Sequence, residues 1–87
     1  MNEPNGPHTM PTSRTYAVVL EPEPDGGFTV RVPALPEIVS YGDDEAEALA
    51  MAEDAIRLVI EDRQARGEPV PVDAKPLIHE VTVTLAA

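Results

Sequence analysis

The sequence predicts an α+β domain of two layers, with one long helix over a small sheet in the order βββαβ. Three observations carry this reading. Apolar side chains recur at every second position across residues 16–32, as in Phe28, Val30 and Val32 with Thr29 and Arg31 between them. After Gly42 the spacing lengthens to three and four, through Leu49, Ala52, Ala55, Ile56, Val59 and Ile60. Alternation then returns after Pro76, with Val81, Val83 and Leu85 set against Thr82 and Thr84.

Each element has its own start and stop signals. A first strand is expected over about Thr15 to Glu21, apolar on both faces and therefore central or in contact with a second chain. Pro22, Pro24 and Asp25-Gly26-Gly27 end it and supply a hairpin, because proline donates no ladder hydrogen bond and glycine reaches positive φ cheaply. A second strand follows from about Gly27 to Val32. Pro33 and Pro36 shape the connector to a short third strand near Ile38 to Tyr41.

The helix opens after Gly42. Asp44 fits an N-cap with Glu47 as its capping-box partner, while Asp43 and Glu45 suit the positive end of the helix dipole. Ala48, Leu49, Ala52, Ala55, Ile56, Val59 and Ile60 form the apolar stripe, and Arg63, Arg66 and Gly67 mark the end. A helix from Glu45 to Arg66 would be about 33 Å long at 1.5 Å per residue. That is more than three short strands cover, so it either protrudes or meets a second subunit.

Gly67 to Pro76 is a proline-stiffened connector to the fourth strand, expected near Leu77 to Leu85. This strand either joins an edge of the sheet in its own chain or exchanges with a second subunit. Residues 1–13, rich in Pro, Gly, Asn, Ser and Thr, read as a disordered arm, and residues 14–87 as a single domain.

A chain of 87 residues makes a small core, for which self-association is a useful stabiliser. A homodimer is the default expectation, with Val19, Val59, Ile60 and the outward face of the last strand as contacts. There is no cysteine, no apolar run of bilayer length and no apolar signal segment at the start, so a cytoplasmic location is expected.

Charge narrows the function classes further. Sixteen acidic side chains stand against six basic ones, for a formal net charge of −10. From Glu37 to Asp62 nine carboxylates face Arg57 alone. Such a surface repels a phosphate backbone and attracts a basic protein, so direct nucleic-acid binding is not expected. Glu37, Asp43, Glu45 and Glu47 are the partner-binding candidates.

Catalytic patterns are missing from the sequence. His8 lies in the arm and His79 on the last strand, too far apart in sequence to suggest a metal pair. No phosphate loop, zincin motif or cysteine nucleophile occurs. Neither an enzyme nor a cofactor or metal site is expected.

The motifs in series resemble the HicB-like antitoxin family across roughly Tyr16 to Pro71. A strand opening on Tyr16 leads through a hairpin to Gly27-Phe28. Then come Pro33-Ala34-Leu35-Pro36, Gly42-Asp43-Asp44 and Glu47-Ala48, with GEPVP after the helix. Ala34, Glu37 and Ile38 depart from the commoner P-D-L-P-G-C pattern, which bears on partner specificity rather than fold. The resemblance implies a partial RNase H or double-stranded-RNA-binding-like arrangement. It also implies an antitoxin that binds and neutralises a small basic HicA-like messenger-RNA interferase. Many members add a C-terminal DNA-binding region, for which no room is expected after the fourth strand. The alternative function is a solitary self-associating accessory or structural domain without a toxin partner.

Overall fold

The computed structural model describes residues 12–86. The arm expected over residues 1–13 therefore lies almost wholly outside the described residues. Within them, three strands precede one helix: β1 (Val19–Pro22), β2 (Phe28–Arg31), β3 (Val39–Gly42) and α1 (Glu45–Ala65). The strands form one antiparallel sheet in the order β1-β2-β3. The α+β class and the βββα order agree with the sequence reading.

The hairpin between β1 and β2 is a tight turn closed by a bulge. Gly26 N–H donates to the Glu23 carbonyl and Glu23 N–H to the Gly27 carbonyl, each at 3.0 Å. Gly26 at φ 102° and Gly27 at φ 79° occupy backbone regions that side chains disfavour. β1 starts at Val19, four residues later than expected. Its register sets Val19 opposite Arg31, so Ala17 would fall opposite Pro33, which has no N–H to donate.

Helix and sheet meet in two apolar clusters. Val30, Ala48 and Ala52 form one, flanked by Val18, Leu20 and Phe28. Val32, Leu35 and Ile38 form the other, packed against Tyr16, Ala55, Ile56 and Val59. The second cluster comes largely from the β2–β3 connector. Two successive turns, Leu35 N–H to the Val32 carbonyl (2.9 Å) and Ile38 N–H to the Leu35 carbonyl (3.0 Å), drive Leu35 and Ile38 inward. This folded connector lengthens the layer beneath α1, so the helix does not overhang at Val59. Val59 accordingly packs inward, although it had been a candidate for subunit contact.

Both helix ends are satisfied as the sequence suggested. Asp44 accepts the Glu47 N–H at 2.7 Å. The Glu47 carboxylate reaches back one residue beyond the usual box, to Asp43 N–H. At the other end Gly67 (φ 69°) closes a Schellman motif, with Glu68 N–H on the Arg63 carbonyl (2.8 Å) and Gly67 N–H on that of Gln64 (3.1 Å).

The expected fourth strand is not part of the sheet. Residues 77–85 join neither edge, and among the described residues no backbone–backbone bond outside the helix and strands reaches past Glu68. Alternation gives a segment the capacity to pair, but the connector decides whether an edge is met. Here Pro71 and Asp73 dock beside the lead-in to β1: the Pro71 carbonyl accepts the Tyr16 hydroxyl, and Asp73 Oδ1 accepts Ala17 N–H at 2.9 Å. Lys75 then turns at φ 52° and the segment leaves the surface.

Candidate protein-binding surface

The four acidic candidates fall into two places. Asp43, Glu45 and Glu47 cluster where β3 turns into α1. Glu37 lies in the connector at the opposite end of β3, six residues from Asp43, or roughly 20 Å along an extended chain. All four are exposed. The structure thus joins three of them and separates the fourth.

Their roles also differ. Glu47 is engaged in capping through both its backbone N–H and its carboxylate. Asp43 uses its backbone N–H in the same cap, leaving its side chain at the surface beside Tyr41. Loss of hydration, followed by the nearby charges of Asp43 and Glu23, pushes the Tyr41 hydroxyl above its ordinary value. Glu45 has no hydrogen-bond or ion partner among the described residues. Glu37 instead holds Arg63 at 2.6 Å. That hydrogen bond, helped by a backbone donor, keeps the Glu37 carboxyl below the usual carboxylate range and raises Arg63.

The arginines are largely occupied by the chain's own acids. Arg31 pairs with Glu21 (2.9 Å), Arg57 with Glu53 (2.9 Å), and Arg66 with Asp62 (2.6 Å). Each sits in a separate place, so they form no continuous basic stripe of the kind a phosphate backbone needs. Around Arg63 an open depression of about 330 Å³ is lined by Glu37, Leu58, Val59, Asp62 and Arg66. Its mixed charges belong to structural ion pairs. Arg63 Nε is buried there without a partner among the described residues.

Apolar surface accompanies the acids. Val39 and Tyr41 project from the sheet face opposite α1, and Met51 and Leu58, seven residues apart, share one exposed helix face. The sequence reading missed these four. Val39 and Tyr41 were placed in a strand without assigning their face, and Met51 and Leu58 fell outside the predicted stripe. The expected dimer contact Ile60 is half-buried on another flank of the helix.

Among the described residues no group of three or more His, Cys, Asp or Glu side chains is arranged to hold a metal, and no helix is long and apolar enough to cross a membrane. His79 is exposed in the unpaired terminal segment.

Fold and surface together define a small acidic α+β domain with its charge at the helix start and exposed apolar side chains beside it. The chain belongs to the family described as HicB-like antitoxin of bacterial toxin–antitoxin systems, which matches residues 16–83. It is 38% identical over 68 residues to UPF0150 protein Ta0767 of Thermoplasma acidophilum, covering 78% of this chain and 94% of that protein. It is 40% identical over 57 residues to Antitoxin HicB 1 of Photorhabdus laumondii, covering 66% of this chain and 37% of the relative. It is also 32% identical over 76 residues to Antitoxin HicB of Escherichia coli K12, covering 83% and 55%. The chain therefore spans about a third to a half of the two relatives named as HicB antitoxins.

Proposed function

We propose that this protein is the antitoxin half of a toxin–antitoxin pair. It binds a small basic HicA-like messenger-RNA interferase and blocks its access to RNA, acting in the cytoplasm as a non-enzymatic homodimer. The observation that carries this reading is the family match over residues 16–83, which spans the whole βββα unit. The charge of −10 supports a basic partner, and the carboxylates of Asp43 and Glu45, which pair with no cation among the described residues, give it a landing place beside Tyr41. The dispersed, acid-paired arginines support a chain that does not itself bind nucleic acid.

The test is co-expression with a small basic HicA-like protein from the same genome, followed by co-purification and an RNA-cleavage assay. A stable complex that suppresses cleavage is expected. Failure to form a complex, with cleavage undiminished, refutes the antitoxin reading. A second reading, a self-associating accessory domain with no toxin partner, draws support from the UPF0150 relative, which this domain matches over 94% of its length.

A further inference from the structure

Residues 77–85 have the pattern of a strand and no sheet to belong to. Leu77, Ile78, Val81 and Leu85 are 82–84% exposed and Val83 is 69% exposed. Among the described residues six apolar side chains are buried, while five large ones are bare on this single segment. Scattered exposed apolar residues need no explanation, but a contiguous run of them does.

The matching surface is the free edge of β1, which pairs with β2 on one side only. The Glu23 N–H bond to Gly27 sets the alternation of the ladder. Val19 and Glu21 therefore turn their backbone groups toward β2, while Leu20 and Val18 turn theirs to the open side. Two open depressions border the helix next to that edge. One, of about 280 Å³, is lined by Tyr16, Val18, Leu49 and Ile56. The other, of about 500 Å³, continues past Ile56 to Ile60. A strand added to β1 would lay every second side chain over this flank.

We propose that the protein is a strand-exchanged homodimer, in which residues 77–85 of each copy lie along β1 of the other and cover its Leu49–Ile60 flank. This deepens the self-association proposed above and does not depend on a toxin.

The occupant is a second copy for three reasons. The chain's own edge is within reach, because Asp73 is fastened to Ala17 and the four residues from Asp73 to Leu77 span up to about 14 Å. Even so, the segment is not laid there. Lys75 is a non-glycine residue at φ 52° and stands directly before Pro76, a position where helical conformations of either hand are crowded. A short, strained hinge of this kind favours exchange over return, and reciprocal exchange closes two-fold, satisfying both open edges together. Finally, residues 77–85 carry Glu80 as their only acid, so the segment offers little to a basic partner and little repulsion to another acidic copy.

The experiment uses the full chain at micromolar concentration and physiological ionic strength. Light scattering gives the mass, and isotope-filtered NOE spectra are recorded on refolded mixtures of labelled and unlabelled protein. A dimer is expected, with intermolecular contacts from Val81, Val83 or Leu85 to Val18, Leu20 or Ile56. Lys75→Gly, which relaxes the hinge, should raise the monomer fraction several-fold while helical circular dichroism is retained. A monomer whose segment pairs with its own β1, a dimer with only intrachain contacts at β1, or a segment whose amides exchange without protection each overturns the proposal. Toxin binding is scored separately, so its failure leaves this result intact.

Discussion

Arg63 Nη2 lies 2.6 Å from Glu37 Oε2, tying the last turns of α1 to the connector between β2 and β3. Glu37 is therefore occupied in holding the domain together, unlike Asp43 and Glu45. Its carboxyl is held below the usual range, chiefly by the Arg63 hydrogen bond. A group depressed in the folded state stabilises the fold above its unfolded pKa, and that stability disappears as pH falls through the folded value. Thermal midpoints of the wild type and Glu37→Gln should thus differ near neutral pH and converge as the medium is acidified through the depressed value of the Glu37 carboxyl. High salt should narrow the gap, since both side chains are partly exposed.

Gly42 meets the first turn of α1 so closely that a Cβ there would lie 2.3 Å from Ala48 N. Gly42→Ala should force the helix off the sheet and destabilise the domain by about 1–3 kcal/mol, measured by urea denaturation. The control, Gly26→Ala, meets no neighbour and tests only the cost of positive φ at that turn.

Leu35 is fully buried although it lies in a proline-bounded connector. Leu35→Ala should lose about 2–5 kcal/mol, more than a loop position would suggest. An unchanged denaturation midpoint would show that the second cluster adds little to stability.

Asp44→Ala removes the side-chain acceptor of Glu47 N–H and should cost about 1 kcal/mol. Glu45→Gln, by contrast, should leave stability nearly unchanged while slowing association with a basic toxin, with a weaker salt dependence of the rate. Stopped-flow mixing across a salt series separates these two outcomes.

The sequence made the helix legible down to its caps, because Asp44, Glu47 and Gly67 act locally on backbone groups within a few residues. It was less informative about the connector. Alternation says nothing of Leu35, whose burial depends on two consecutive turns that no periodic pattern announces. The terminal segment shows the opposite failure: its alternation is clear, yet pairing requires an edge supplied from elsewhere. In the acidic surface, residue type identified the four candidates. Only the fold could separate Glu37, spent on Arg63, from the carboxylates at the other end of β3.

The two tyrosines occupy different junctions: Tyr16 donates to the Pro71 carbonyl of the connector, and Tyr41 to the Gly26 carbonyl of the hairpin at 2.8 Å. With no tryptophan in the chain, ultraviolet emission comes from these two rings without a dominant acceptor to quench them. The protein thus carries its own pair of optical probes, one on the hinge of the terminal segment and one on the turn between the first two strands. Replacing either ring with phenylalanine would assign the remaining signal to a single junction, so that hinge release and hairpin opening could be timed separately without attaching a dye.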